Sequence, residues 1–173
     1  ILQENPWASL EVYSEGEAGL LGIALHPDFS QNNYVYVYHT YRLSDGGLRN
    51  RVVRLVDGGD RGEFDMVILD GIPGGRIHDA GRIEFGPDGK LYITTGDSGE
   101  GDLAQNLDSL AGKILRINPD GSVPEDNPFS GSPIWSYGHR NPEGIAWHPE
   151  TNRLYSTEHG PSGHDELNLI QKG

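Results

Sequence analysis

The sequence contains no cysteine, and only 35% of its 173 residues are hydrophobic. Without cysteine there is no disulfide framework, and the redox compartment cannot be read from the chain. No stretch reaches the roughly 18 consecutive apolar residues of a membrane-spanning helix, so membrane insertion is not expected. Basic residues are also scarce, because 13 lysines and arginines stand against 26 acidic residues, a formal net charge of −13. A field of that sign opposes nucleic acids and anionic membranes, so neither is an expected partner.

Glycine, in contrast, is abundant, with 25 residues beside 11 prolines. Average glycine usage is about 7%, so this excess needs a structural reason. A collagen-like Gly-x-y period is absent from the sequence. The apolar residues form short β-branched and aromatic runs between turn residues, which is typical of an all-β chain with many turns.

Three segments repeat one pattern: a short apolar strand, a proline followed by an acidic residue, and a second strand containing tyrosine. The turn prolines are Pro27, Pro87 and Pro149, which lie 60 and then 62 residues apart. Since proline presets φ for a turn, each segment predicts a β-hairpin. Further strands are predicted between the hairpins, and a short helix over 102–111; the strand segments are 51–56, 66–69 and 113–118. Four short strands per repeat indicate the blade of a β-propeller.

The length of the chain sets the number of blades. At about 60 residues per blade, residues 1–173 are expected to form one partial propeller domain of about three four-stranded blades. A propeller usually needs about 4 to 8 blades to close, so a shorter arc leaves a sheet edge and an apolar flank exposed. The chain is therefore expected either to be part of a longer propeller or to associate with itself or a complementary half that closes the ring.

Polar residues at equivalent strand ends of successive blades are expected to meet around one axis. They stand just before the first strand of a blade or just after the second, and the candidates are Glu17, His78, Asp97, Arg140, Asn141 and His159. A histidine can act as a general base, and a nearby aspartate can fix its tautomer. An arginine can hold a developing oxyanion or an anionic cofactor. The alternative is that these are surface residues in salt bridges.

Two acidic segments are weaker candidates for metal binding. Residues 97–102 look like a calcium loop but fail the EF-hand pattern, so a solvated acidic turn is favoured there. Residues 164–166 offer hard oxygen ligands for Ca²⁺, and a charged loop is the alternative. His26 and His148 occupy equivalent positions beside the turn prolines, and we interpret both as structural.

The sequence resembles the soluble PQQ-dependent aldose sugar dehydrogenases, relatives of soluble quinoprotein glucose dehydrogenase. The matching stretches follow the family's order over nearly the whole chain: 19–29, 76–82, 85–92, 95–97, 110–116, 138–144, 158–161 and 165–170. That family has a six-bladed propeller, so the resemblance implies that this chain supplies about half of the ring.

The resemblance also implies catalytic roles. His78 matches the base that takes the proton from the sugar C1 hydroxyl while hydride passes to the C5 carbonyl of PQQ. Asp97 matches the acid that orients this histidine, and Arg140 matches the residue that stabilises the reduced cofactor. Further cofactor contacts are implied at positions where this chain carries Glu17, Asn141 and His159. Glu17 and His159 stand where the glucose dehydrogenases have glutamine.

Calcium is the second cofactor that the resemblance implies. Gly160 and Pro161 match backbone carbonyls that hold the Ca²⁺ ion on the cofactor, and Glu166 matches a ligand of a structural Ca²⁺ pair. A Ca²⁺ ion on the quinone oxygen polarises it toward hydride acceptance. The family's basic residues that neutralise the PQQ carboxylates are expected beyond residue 173.

The expected function is oxidation of an aldose at C1 to the lactone, with PQQ and Ca²⁺ as cofactors and a separate electron acceptor. Two alternatives stay open: a non-catalytic binding propeller like the hedgehog-interacting relatives, and a Ca²⁺-dependent propeller lactonase. The family resemblance implies a periplasmic or secreted protein. The isolated 173-residue chain is expected to be inactive and prone to associate.

Overall fold

Three antiparallel sheets follow one another along the chain. In a computed structural model, which describes residues 4–173, the first sheet contains β1 (Leu20–Leu25), β2 (Tyr34–Arg42), β3 (Leu48–Asp57) and β4 (Gly62–Pro73). The second contains β5 (Ile83–Phe85), β6 (Leu91–Thr95), β7 (Lys113–Ile117) and β8 (Ile134–Tyr137). The third contains β9 (Pro142–Trp147), β10 (Leu154–Glu158) and β11 (Glu166–Ile170).

Each sheet is a meander whose neighbours in space are neighbours in sequence. The spatial orders are β1-β2-β3-β4, β5-β6-β7-β8 and β9-β10-β11. This arrangement confirms the all-β fold of antiparallel four-stranded blades, with two complete blades and three strands of a third. None of the helical segments in residues 4–173 has the length and hydrophobicity needed to cross a membrane.

The three proline turns join the first two strands of each sheet, as the repeat predicts. β1 pairs with β2, β5 with β6, and β9 with β10, each in antiparallel register. The first turn also holds α1 (Phe29–Asn32), a single helical turn. The predicted strands at 51–56, 66–69 and 113–118 correspond to β3, β4 and β7, whereas β8 and β11 were not predicted.

The predicted helix over 102–111 is wrong, because only a 3₁₀ segment, Gly101–Gln105, forms there. The buried ammonium group of Lys113 donates to the carbonyl oxygens of Leu103 and Ala104 at 2.9 and 3.0 Å. A longer helix would need these carbonyls as acceptors for its own N–H groups. A tertiary contact therefore replaces helix propagation at this point.

The hydrophobic core lies in the joints between successive sheets. Tyr36, Tyr38 and Val52 of the first sheet pack against Ile83, Leu91 and Ile93 of the second. A second cluster joins Tyr92 and Ile114 to Ile145 and Leu154 of the third sheet. Because successive sheets pack against each other, the loops at the strand ends are brought to one rim.

Candidate active site

The loops that enter the innermost strands meet the loops that leave the second strands. The Glu17 carboxylate accepts a hydrogen bond of 2.6 Å from the backbone N–H of His78. The His78 ring nitrogen Nδ1 lies 2.7 Å from Asp97 Oδ1. The Asp97 N–H in turn donates to the carbonyl of Arg140 at 2.8 Å. These hydrogen bonds connect the loops that precede β1, β5 and β9, the first strands of the three sheets.

The same network continues through the residues that follow Arg140. Asn141 Oδ1 accepts from the N–H of Ala80 at 3.1 Å, and the His159 N–H donates to the Asn141 carbonyl at 3.1 Å. Arg140 Nη1 donates to the His159 carbonyl at 2.9 Å. All six residues predicted to converge thus lie in one hydrogen-bonded network, although 142 residues separate Glu17 from His159.

The His78–Asp97 pair is the chemical centre of this network. Both side chains are largely buried. Asp97 Oδ1 also accepts from the Gly99 N–H at 2.8 Å, which fixes the carboxylate. Since an ionised carboxylate only accepts hydrogen bonds, His78 Nδ1 is the donor of this pair, and a ring with a single proton presents the lone pair of Nε2. A histidine in this state can accept a proton from a hydroxyl group.

The backbone at His78 adopts a conformation that the surrounding structure imposes. Its φ of 57° lies in the left-handed region, which is uncommon for a residue other than glycine. Its carbonyl oxygen packs directly against Gly96, where any Cβ atom would overlap it. Such backbone conformations persist where the surrounding structure fixes them, and they concentrate at functional sites.

A buried glutamate that the sequence reasoning missed supports the Arg140 segment. Glu158, at the end of β10, accepts hydrogen bonds from the backbone N–H of Arg140 and from His139 Nδ1, the latter at 2.9 Å. His139 Nε2 also lies 3.0 Å from Ser136 Oγ. Burial alone would raise the pKa of Glu158, but these hydrogen bonds outweigh it and lower that pKa. Only its place in the matching stretch 158–161 could have drawn attention to it.

Asp79, the residue after His78, anchors the loop that carries this histidine. Asp79 Oδ1 accepts from Asn50 Nδ2 at 2.8 Å and from the Gly75 N–H at 3.0 Å. Its other carboxylate oxygen, Oδ2, is buried without a hydrogen-bond partner among the described residues. Burial raises the pKa of Asp79. Asp79 thereby ties the His78 loop to β3 of the first sheet.

Asn141 and His159, both predicted cofactor contacts, occupy different environments. The Asn141 side chain is buried, and while its Oδ1 accepts from Ala80, its Nδ2 donates to Glu143 Oε1 at 2.9 Å. Burial raises the pKa of Glu143. The His159 ring is mostly exposed and lies 3.7 Å from Asp165. Asn141 therefore braces the loops, whereas His159 has a ring free to meet a ligand.

The predicted calcium ligands lie at the same rim but do not form a complete set. The Gly160 carbonyl accepts from Arg140 Nη1 at 3.4 Å, and the Pro161 carbonyl accepts from His164 Nδ1 at 2.8 Å. Glu166 is exposed at the start of β11 and accepts from Asn168. Within residues 4–173 there is no cluster of three or more acidic or histidine side chains suited to a metal. Ca²⁺ takes about six to eight oxygen ligands, so the fit of these residues to calcium is incomplete.

The fit to an anionic planar cofactor such as PQQ is better. The rim presents the partly exposed guanidinium of Arg140 and the exposed imidazole of His159, on segments that backbone hydrogen bonds connect to Asp97 and Asn141. Guanidinium and imidazole N–H groups are donors suited to carboxylate and quinone oxygens. Hydrogen bonds to the backbone oxygens of residues 159 and 160 already hold Arg140 in place.

An arc of propeller blades with a His–Asp pair and an arginine on its axial rim defines a class of site suited to proton abstraction. A family model described as Glucose / Sorbosone dehydrogenase matches residues 3–173. The chain belongs to this family.

Solved structures and curated relatives agree with this assignment. A structure of the PQQ-bound form of aldose sugar dehydrogenase from Streptomyces coelicolor is 46% identical, with a TM-score of 0.86 over 94% of this chain and 48% of that one. The apo-form of the soluble aldose sugar dehydrogenase from Escherichia coli is 36% identical, with a TM-score of 0.90 over 98% and 52%. Quinoprotein glucose dehydrogenase B of Acinetobacter calcoaceticus is 38% identical over 92% of this chain and 39% of its own. The chain thus spans about half the length of these proteins or less.

Proposed function

We propose that this chain provides the proton-transfer part of a PQQ-dependent aldose dehydrogenase that oxidises the sugar C1 hydroxyl to the lactone. The observation that carries the proposal is the His78–Asp97 pair, held at 2.7 Å on the rim beside Arg140. The family assignment and the PQQ-bound relative support the class of substrate and the cofactor.

In this proposal His78 Nε2 accepts the proton of the C1 hydroxyl. The Asp97 carboxylate holds the proton on Nδ1 and stabilises the charged imidazole that forms. Glu17 and Asp97 fix the ring and its loop, so little reorganisation is needed when the proton moves. PQQ, when bound, supplies the acceptor for the hydride that leaves C1, and a separate electron acceptor later reoxidises it.

Arg140 is proposed to hold the cofactor. Its guanidinium is fixed to two backbone carbonyls through Nη1, which leaves its other N–H groups for an anionic ligand. His159 is the second candidate donor, and Asn141 acts through the loops that it braces. We assign a carboxylate-binding role to Arg140 and His159, and not to Asn141.

Calcium remains a proposal from the family resemblance. The carbonyls of Gly160 and Pro161 and the Glu166 carboxylate would contribute some of its oxygens, and no step above depends on the metal. A periplasmic or secreted location is proposed on the same ground. A lactonase of this fold would need carboxylate and asparagine side chains around one central metal, and the His78 and Arg140 side chains at the rim fit that chemistry poorly.

The experiment is dye-linked oxidation of aldoses by the full-length gene product, with and without added PQQ and Ca²⁺. We expect activity that requires both cofactors and that His78→Ala reduces by about 10²–10⁴-fold, the usual contribution of a general base. His148→Ala is the matched control, since His148 Nδ1 only accepts turn hydrogen bonds in the third hairpin. Turnover without cofactor, or none with any aldose, would contradict the proposal.

A further inference from the structure

The segment that carries Arg140 is a short crossing from β8 of the second sheet to β9 of the third. It consists of residues 138–141. The Gly138 and His139 N–H groups donate to backbone carbonyls of the loop between β6 and β7, at 2.9 and 3.1 Å. The Arg140 carbonyl accepts from the Asp97 N–H at 2.8 Å. Asp97 and the arginine are therefore attached to one another through the main chain of this crossing.

Glu158, at the end of β10, holds the other polar group of the Arg140 main chain. The Arg140 N–H donates to Glu158 Oε1, and His139 Nδ1 donates to Oε2 of the same carboxylate at 2.9 Å. Glu158 is only 8% exposed. A buried carboxylate with a donor on each oxygen has a fixed position and a fixed plane. Glu158 is thus an oriented acceptor for the Arg140 main chain.

His139 is oriented in turn by Ser136 of β8. The second ring nitrogen of His139, Nε2, lies 3.0 Å from Ser136 Oγ. A serine, a histidine and a carboxylate in this order also form the triad of serine hydrolases. Here all three residues are at most 8% exposed, so the Ser136 hydroxyl is not presented to a substrate. These contacts therefore fix Glu158 rather than activate a nucleophile.

The side chain of Arg140 is bound to the same short segment as its main chain. Arg140 Nη1 donates to the His159 and Gly160 carbonyls at 2.9 and 3.4 Å. These two residues directly follow Glu158 in the chain. Both ends of the arginine are therefore bound to residues 158–160, and that segment positions the guanidinium.

His78, the residue proposed as the base, is held in a similar way. Its N–H donates to the carboxylate of Glu17 at 2.6 Å, across 61 positions of the chain. His78 and Arg140 thus each have the main-chain N–H on a carboxylate from another segment. Hydrogen bonds to ionised acceptors are shorter and stronger than those between neutral groups. The recurrence of this arrangement at both residues indicates that the rim depends on main-chain positioning.

We propose that Glu158, oriented by His139, is a positioning residue that fixes the Arg140 main chain and thereby the guanidinium that binds the cofactor. The inference rests on the proposed function, because that function assigns PQQ to Arg140. Glu158 acts through the arginine, since two donors of the protein already occupy its carboxylate. Its replacement should therefore affect cofactor binding only while Arg140 is present.

Direct binding of PQQ to the full-length gene product, followed by quenching of tryptophan fluorescence without sugar, tests this dependence. Glu158→Gln should raise the dissociation constant about 10-fold or more, because small displacements of a positioned group are costly. In an Arg140→Ala background, the same replacement should change the dissociation constant by less than about 2-fold. An equal loss in both backgrounds, or wild-type affinity in Glu158→Gln, would overturn the proposal.

Two replacements of His139 separate its hydrogen bond from the bulk of its ring. His139→Asn keeps an N–H donor close to the position of Nδ1, whereas His139→Leu has none. We expect the asparagine variant to bind PQQ within about 2-fold of wild type. The leucine variant should lose about as much affinity as Glu158→Gln. If both variants lost affinity equally, the hydrogen bond to Glu158 would not be what positions Arg140, and the proposal would fail.

Asp88→Asn is the control for a loss of stability alone. Asp88 accepts from Arg116 Nε at 3.0 Å and from the Tyr92 hydroxyl at 3.2 Å. It lies in the turn between β5 and β6, at the opposite end of these strands from His78. Its replacement should lower the free energy of unfolding and leave the dissociation constant for PQQ unchanged. A loss of affinity as large as that of Glu158→Gln would show an effect of stability alone and would count against the positioning role.

Amide hydrogen exchange of the cofactor-free protein separates this proposal from the proposed function. Glu158→Gln should speed exchange of the Arg140 N–H about 10-fold or more, whereas Asp88→Asn should leave that rate unchanged. Faster exchange in a protein that does not bind PQQ would contradict the proposed function and still support the positioning role of Glu158. An unchanged exchange rate in Glu158→Gln would overturn the positioning role, whatever PQQ binding shows.

Discussion

Lys113 is the residue whose replacement tests most directly how the fold holds the rim together. The side chain is fully buried. Its ammonium donates to the carbonyls of Leu103, Ala104 and Ala111 at 2.9, 3.0 and 2.6 Å. The Ala104 carbonyl also accepts from the Gly138 N–H, two residues before Arg140. Lys113 therefore links β7 to the loops that flank the site.

Replacement of Lys113 by methionine keeps the length of the side chain and removes the three donors. Loss of the three hydrogen bonds from a charged donor costs about 2 kcal/mol each, and release of the buried charge returns about 3 kcal/mol. We expect a net loss of about 3 kcal/mol in the free energy of unfolding. Urea denaturation at pH 7 and fixed protein concentration measures it, with Lys90→Met as the control on a half-exposed lysine.

The pH dependence of the same difference provides a second test. Burial lowers the pKa of Lys113 to about 8, from 10.5 in the unfolded chain. Between these values the unfolded chain binds more protons, so the wild type gains stability as pH rises from 8 toward 10.5. The variant lacks this gain. A loss below about 1 kcal/mol, or equal pH slopes for the two proteins, would refute the reasoning.

Two further substitutions probe the supports of the site. Gly96→Ala should destabilise the fold by about 2 kcal/mol, because its Cβ would overlap the His78 carbonyl, whereas Gly101→Ala should stay within about 0.5 kcal/mol. Glu158→Gln should lose about 2 kcal/mol at pH 7, since one of the two donors that Glu158 satisfies loses its acceptor. Because folding lowers the pKa of Glu158 from 4.5, the difference in free energy of unfolding between wild type and variant is complete above pH 4.5. It decreases as the pH falls below that value. Urea denaturation measures both, and an unchanged difference at low pH would contradict the second.

The blades were predictable because their signals are local and repeated. A proline turn between two apolar runs specifies a hairpin wherever it occurs, so Pro27, Pro87 and Pro149 predicted three hairpins correctly. The failed helix over 102–111 shows the limit of such signals. Lys113, later in the chain, donates to the Leu103 and Ala104 carbonyls that a longer helix would have used as acceptors.

The sequence by itself determined the all-β architecture, the number of blades and the set of polar residues at the strand ends. It did so because the strand periodicity and the spacing of about 60 residues between repeats are visible in the linear sequence. Only the tertiary structure decided which of those residues face a ligand and which brace the loops. Asn141, Asp79 and Glu158 hold the loops of the site in place. Their roles depend on hydrogen bonds to residues that only the fold brings near them.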